Sequence, residues 1–233
     1  MITEYLIYLS VIGLGVIVST MLQVKLCRSA RQLPEGWKDS SFQKQFRFSI
    51  LLLMVFLLIQ MICEASAYYL SRHRTYNSFV FSINETLSIP CLLGFFYLYT
   101  HTSWKRFIYF FLYAVLIVYL VQGNYYDPEC VLSGTSALLF NLIYFLAALT
   151  HLTDLLINPK SDHFRFQLKV NLCVLIFALS SIVLTPSVWY ADDWGIKISE
   201  LIFFAHFYNA ILFYFVLTLI LFIEILRLQR RKQ

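Results

Sequence analysis

Seven apolar stretches divide this chain, and each is close to the length that a helix needs to cross a lipid bilayer. Crossing about 30 Å of hydrocarbon takes on the order of 20 helical residues. The 233-residue sequence is 60% hydrophobic and 13% charged, against roughly 25% charged in an ordinary soluble domain. It therefore predicts an all-α, polytopic membrane protein with seven transmembrane helices. The spans are expected near residues 2–24, 48–70, 78–100, 107–122, 136–157, 168–190 and 197–226.

Basic residues are distributed unequally between the two sets of loops. Three of the 18 fall on one side, and these are Arg72, Arg74 and Lys197. The other fifteen share a side with the C-terminal tail: Lys25, Arg28, Arg31, Lys38, Lys44, Arg47, Lys105, Arg106, Lys160, Arg165, Lys169, Arg227, Arg230, Arg231 and Lys232. Because loops rich in Lys and Arg stay in the cytoplasm, we predict an outside N-terminus and a cytoplasmic C-terminus. The expected location is the bacterial cytoplasmic (inner) membrane.

Residues 1–233 are predicted to form a single transmembrane domain. The longest loop, roughly 25–47, and the seven residues beyond Leu226 are too short for a kinase, nucleotide-binding or DNA-binding module. The formal charge of +5 fits the topology and an attraction to anionic lipid, not a nucleic-acid partner. The predicted partners are the lipid bilayer and a separate protein in the membrane or cytoplasm. A homo-oligomer is left open.

Two carboxylates interrupt the apolar runs of the second and third spans. Glu64 and Glu85 each lie about seven residues from the outer end of a span, which places both roughly 10 Å below the outer boundary. Spans joined by so short a turn are expected to be antiparallel neighbours. An acid that faced lipid would cost about 2.5–3.5 kcal/mol. Both acids are therefore predicted to face the interior and to meet at one depth.

Other polar residues are expected at the same level. Gln60 lies one turn before Glu64, Asn84 adjoins Glu85, and His206 and Asn209 share a face of the seventh span. Ionisable groups inside a membrane usually bind a ligand, an ion or a proton, and that is the role predicted for this set. Two alternatives are left open: the acids share a proton and only hold helices together, or one of them lies near the headgroups. The predicted site consists of Gln60, Glu64, Asn84, Glu85, His206 and Asn209.

His151 and Asp154 form a secondary inner cluster. They are three residues apart on the fifth span, near its cytoplasmic end. Lys169 or Arg165 is expected to neutralise the acid. Because the pair lies close to the interface, solvation and a structural role are favoured over a ligand site.

Catalysis is disfavoured. A zinc hydrolase needs about three converging ligands, whereas His151 and His206 are expected towards opposite faces of the membrane. Neither HExxH nor GxSxG occurs, and no span carries a central lysine for retinal. The sequence predicts no catalytic residue, no metal and no cofactor, although the enzyme question stays open.

The run CEASAYYL at residues 63–70, followed by Asn84 and Glu85, resembles a family of uncharacterised seven-helix integral membrane proteins of the Bacteroidota. In that family one glutamate precedes an Ala-Tyr-Tyr-like group at the end of helix two, and a second follows in helix three. The resemblance covers nearly the whole chain and points to Glu64 and Glu85. Some members lie beside sensor kinases, which implies a sensory role.

Three functions follow from these patterns. The leading one is a membrane sensor that transmits a signal from an intramembrane polar pocket to a separate protein. The second is a small transporter or channel subunit that uses Glu64 and Glu85 for proton or cation coupling. The third is a structural subunit of a larger membrane complex.

Overall fold

The computed structural model describes residues 2–31, 41–73, 78–126, 134–159, 163–190 and 196–230. These residues form seven α-helices and no strand, so the predicted all-helical class is confirmed. Every predicted span coincides with one helix, and most of the helices extend several residues beyond it. The helices are α1 (Ile2–Arg31), α2 (Ser41–Arg72), α3 (Ser78–Tyr99), α4 (Ser103–Tyr126), α5 (Gly134–Ile157), α6 (Phe164–Tyr190) and α7 (Ile196–Arg230).

Five of the helices are long and apolar enough, over their described residues, to cross a membrane. They are α1, α2, α5, α6 and α7. The outer surface of the bundle is apolar too: Phe107 is 70% exposed and Leu201 69% exposed. Soluble monomers rarely expose large continuous apolar patches, so this surface suits a lipid environment. The apolar segments are Glu4–Arg28, Lys44–Arg72, Leu138–Ile157, Phe164–Leu184 and Glu200–Arg230.

Six of the helices close into a ring. Going round it, α1 packs on α2, α2 on α3, α3 on α5, α5 on α6, α6 on α7, and α7 returns to α1. Helix α4 lies outside this ring and packs against α3 and α5. The centre of the bundle is therefore formed by six helices, and α4 shields one side of it.

One end of the bundle carries most of the described basic residues. At this end Phe46 of α2 stacks on His163, with ring centroids 3.8 Å apart, and meets Phe166 of α6 edge-on. Asp154 near the end of α5 contacts the α3–α4 connection. These contacts bring together the helix termini that hold the basic residues predicted to be cytoplasmic. Five bases of the sequence lie outside the described residues: Lys38, Arg74, Lys160, Arg231 and Lys232.

At Gly15, α1 packs closely against α7. A Cβ atom there would lie 2.7 Å from Thr218 Oγ1 and 3.3 Å from Leu57 Cδ1. The Thr218 hydroxyl donates a 2.8 Å hydrogen bond to the Tyr214 carbonyl, so its rotation away would sacrifice that bond. Small residues permit such close packing between membrane helices. The absence of a side chain at Gly15 therefore permits the close contact between α1 and Thr218 of α7.

We expect Gly15→Ala to lower the free energy of unfolding by about 1 kcal/mol, because overpacking outweighs the gain in helix propensity. Gly13→Ala is the matched control, since its Cβ would meet only Met61 Sδ at 3.7 Å. Adding Thr218→Ala to Gly15→Ala should restore stability in a denaturant titration of the detergent-solubilised protein. Equal stability of the two alanine variants would contradict this account of the α1–α7 contact.

Candidate functional site

A cavity of about 220 Å³ lies at the centre of the six-helix ring. Each of the six ring helices contributes to its wall, whereas no described residue of α4 does. A molecule in this cavity would therefore touch elements from the whole ring. The lining residues are Tyr8, Phe56, Gln60, Glu64, Asn84, Glu85, Leu92, Phe140, Asn141, Tyr144, Val174, Phe177, His206, Ala210, Phe213 and Tyr214.

Five of the six residues of the predicted site line this cavity. Glu64 lies eight residues before the end of α2 and Glu85 seven after the start of α3, so both are roughly 10–12 Å from the same end of the bundle. His206 is ten residues into α7, at roughly 15 Å from that end. The residues brought together are Gln60, Glu64, Asn84, Glu85 and His206.

Asn209 has a different position from the one expected. Its Oδ1 accepts a 2.9 Å hydrogen bond from Ser180 Oγ, and its Nδ2 donates a 3.0 Å bond to Ser181 Oγ. It is absent from the cavity wall. The three-residue step from His206 turns Asn209 towards α6, where it ties α6 to α7.

Glu64 is held by two tyrosines of α1 that sequence reasoning missed. The Tyr5 hydroxyl lies 2.8 Å from Glu64 Oε2 and 2.8 Å from the Glu64 carbonyl oxygen, and the Tyr8 hydroxyl donates to Oε1 at 3.2 Å. Both carboxylate oxygens thus have a donor. Tyr5 and Tyr8 are three residues apart near the start of the first span, so the depth argument applied to Glu64 also points to them.

The polar residues of α3 are less completely paired. Asn84 is only 5% exposed, and its Nδ2 donates a 3.0 Å hydrogen bond to Gln60 Oε1. Asn84 Oδ1, Glu85 Oε2 and, on α7, His206 Nδ1 are buried without a hydrogen-bond partner. Unsatisfied buried polar atoms are rare in native structures. Three such atoms belong to residues that line this one cavity.

Aromatic rings form much of the remaining wall. Phe177 and Phe213 stack with centroids 4.3 Å apart, and Phe56 meets Phe213 edge-on. Tyr144 bonds Ser88 at 3.3 Å between hydroxyls. Because aromatic residues make up 18% of the chain, their abundance alone does not single out these rings. The spacing of His206, Ala210 and Phe213 by four and three residues is the signal that could have grouped them on one face.

The charge of the cavity wall is one-sided. Two carboxylates line it, and no described lysine or arginine does. Nor do the described residues contain a cluster of three His, Cys, Asp or Glu side chains that could hold a metal ion. The described part of the wall thus offers hydrogen-bond acceptors and two acidic groups, with no lysine or arginine to pair with them.

The inner cluster is organised differently from the prediction. Asp154 is 1% exposed, so it is not solvated. Its Oδ2 accepts from the His101 backbone N–H at 2.8 Å, and its Oδ1 accepts from Thr102 Oγ1 at 2.6 Å. Lys105 Nζ lies 3.6 Å from Oδ1. The counter-ion is therefore Lys105 of α4, because the α3–α4 connection folds over the end of α5.

The two bases that the sequence had suggested do not take this role. Arg165 and Lys169 are exposed on α6, and the Asp154 carboxylate is already occupied by donors from the α3–α4 connection and α4. The expectation of an ion pair between α5 and α6 is corrected to an ion pair between α5 and α4.

His151 has partners of its own. It is fully buried, and its Nδ1 lies 2.9 Å from Asn171 Nδ2, which also donates to the Ala148 carbonyl. Because an amide NH₂ can only donate, His151 Nδ1 is the acceptor. Its ring also packs against Phe96, with centroids 5.0 Å apart. His151 and Asp154 thus belong to two separate contacts, which join α5 to α6 and to α4.

No family model, curated protein or solved structure matches this chain.

Proposed function

We propose that this chain is a seven-helix protein of the bacterial cytoplasmic membrane that senses a small ligand, cation or proton in its central cavity. The N-terminus lies outside and the C-terminus in the cytoplasm. The proposal includes membership of the Bacteroidota family that the chain resembles. Output passes to a separate protein through the basic loops and tail.

The observation that carries this proposal is the position of Glu64 and Glu85 in a cavity walled by six helices. An occupant in contact with all six can stabilise one arrangement of the ring over another, which is the physical requirement for transmitting a signal. The cavity lies towards one end of the bundle, whereas the described basic termini gather at the other end. Ligand and partner would therefore act at opposite ends.

We expect the double variant Glu64→Gln with Glu85→Gln to lose signalling while still inserting in the membrane. Glutamine keeps the size of the side chain but removes the charge and one acceptor. The measurement is the transcript profile of a deletion strain of the native host complemented with each form. The double variant should reproduce the profile of the deletion strain at wild-type protein levels.

Glu200→Gln is the control. Glu200 is an exposed acid of α7, and it lies outside both the cavity wall and the basic tail. The control should restore the wild-type profile. If the double variant restored it as well, the cavity would not be the sensing site. Native mass spectrometry of the gently extracted protein would identify the partner that receives the signal.

A small transporter is the second candidate, and the pair of carboxylates inside the bundle favours it specifically. Acids in membrane spans often mark proton or cation pathways. Proton or cation flux into proteoliposomes that disappears in the glutamine double variant would favour transport. Flux equal to that of empty liposomes would leave sensing as the better assignment.

A further inference from the structure

We propose that the central cavity binds a small organic ammonium ion, with its N–H groups donating to Glu85 Oε2 and Asn84 Oδ1 and its carbon skeleton packed among aromatic rings. This proposal rests on the function proposed above, and it names the chemical class of the ligand. It follows from four properties of the cavity: the unpaired acceptors, the charge, the rings and the volume.

The unpaired acceptor atoms of the wall favour a ligand that donates hydrogen bonds. Glu85 Oε2 and Asn84 Oδ1 are acceptors without a partner, and they belong to neighbouring residues of α3 in the wall of one cavity. An ionised carboxylate oxygen can only accept. A protonated primary amine brings three N–H donors on one atom, enough for both oxygens and for His206 Nδ1 in its acceptor form. A neutral alcohol brings one donor.

The acidic groups of the cavity wall favour a positively charged ligand. Glu64 is satisfied by the hydroxyls of Tyr5 and Tyr8, and hydroxyls supply hydrogen bonds but no positive charge. Glu85 has no lysine or arginine beside it among the described lining residues. Buried charges are normally paired. An ammonium ion would supply the missing positive charge within the cavity.

The rings select an organic cation over a hydrated inorganic one. Phe56, Phe213 and Tyr214 lie together in the wall, with centroid separations of 6.4 Å for Phe56–Phe213 and 5.0 Å for Phe213–Tyr214. Aromatic faces attract cations, and the attraction grows when the cation is desolvated. The same faces bury apolar carbon. The described residues contain no group of three His, Cys, Asp or Glu side chains that could hold a metal ion.

The volume sets the size of the ligand. A cavity of 150 Å³ is known to hold benzene, which has six non-hydrogen atoms. Scaled from that case, the 220 Å³ of this cavity suit a molecule of roughly six to nine non-hydrogen atoms. Benzylamine, protonated at neutral pH, falls within this range and is a suitable probe.

The experiment measures the melting temperature and the dissociation constant of the full chain in nanodiscs with four probes. They are benzylammonium, its neutral isostere benzyl alcohol, tetramethylammonium, which lacks N–H donors, and Na⁺. We expect benzylammonium to bind and to raise the melting temperature, and the other three to bind at least about tenfold more weakly, since hydrogen bonds to charged groups are the strong ones. Glu85→Gln should weaken benzylammonium binding by roughly tenfold to hundredfold, whereas Glu200→Gln should leave it unchanged.

The outcomes separate this proposal from the function on which it rests. Equal binding of benzyl alcohol would overturn the ammonium proposal and indicate only an apolar void. The ammonium proposal would also be overturned if only Na⁺ bound, or if only a change of pH shifted the melting temperature, and Glu85→Gln abolished that effect. The proposal of a sensing cavity would then still stand. Binding of no probe, together with wild-type signalling by the glutamine double variant, would remove both.

Discussion

Asp154→Ala is expected to lower the free energy of unfolding by about 3 kcal/mol. Removing one member of a buried ion pair typically costs about 3–5 kcal/mol because the other charge is left unpaired. Lys105 is 6% exposed, so it cannot regain water easily. The low end of the range applies because the Lys105–Asp154 separation is 3.6 Å and Lys105 keeps a 3.2 Å bond to Thr153 Oγ1.

The measurement is a denaturant titration of the purified protein in detergent. Adding Lys105→Met to Asp154→Ala should recover part of the loss, since the unpaired charge is then gone and only the acceptor for His101 N and Thr102 Oγ1 is missing. Glu224→Ala is the control: its partner Arg227 is 34% exposed, so a loss below about 1 kcal/mol is expected. A loss equally small for Asp154→Ala would show that α4 is held to the ring by other contacts.

The level of the site residues along the bundle could be predicted from the sequence, because it follows from counting residues at a fixed rise per residue. That arithmetic placed Glu64, Glu85 and His206 at similar levels, and the structure puts all three in one cavity wall. The same arithmetic applies to Tyr5 and Tyr8, which were missed only because tyrosines are common in membrane helices and are rarely singled out.

Which helix faces which could not be predicted in the same way. The closed ring and the outside position of α4 depend on contacts between elements far apart in sequence, and the length of a span says nothing about its neighbours. The misassigned counter-ion shows this directly. Lys169 and Lys105 are predicted at the same membrane face, and only the folding of residues 100–102 over α5 brings Lys105 to Asp154.

The rotation of each helix was predictable only in part. On α3, Asn84 and Glu85 are adjacent, so a small error in rotation leaves at least one of them facing inward. On α7, a step of three residues leaves His206 and Asn209 about 60° apart around the helix axis. This difference directs His206 to the cavity and Asn209 to the serines of α6. A shared face inferred from spacing alone could not distinguish these two directions.

Ala210→Phe should abolish binding at the cavity without unfolding the protein. Ala210 lines the cavity on α7 and already packs against the core, so a phenyl group there would extend into the 220 Å³ space. We expect benzylammonium affinity to fall by at least about a hundredfold, because the ring occupies the volume of the probe. The melting temperature should hold or rise, since filling a cavity commonly adds about 0.5–2 kcal/mol.

Ala205→Phe makes the same change on the exposed side of the same helix and should leave both affinity and melting temperature close to wild type.

In the native host, Ala210→Phe should fix the transcript profile in one state whatever the growth condition, because a permanently filled cavity no longer responds to its occupant. A variant that still binds benzylammonium with wild-type affinity would place the binding site outside this cavity. If Ala210→Phe still responded to growth conditions but no longer bound benzylammonium, signalling would not depend on the ammonium ligand.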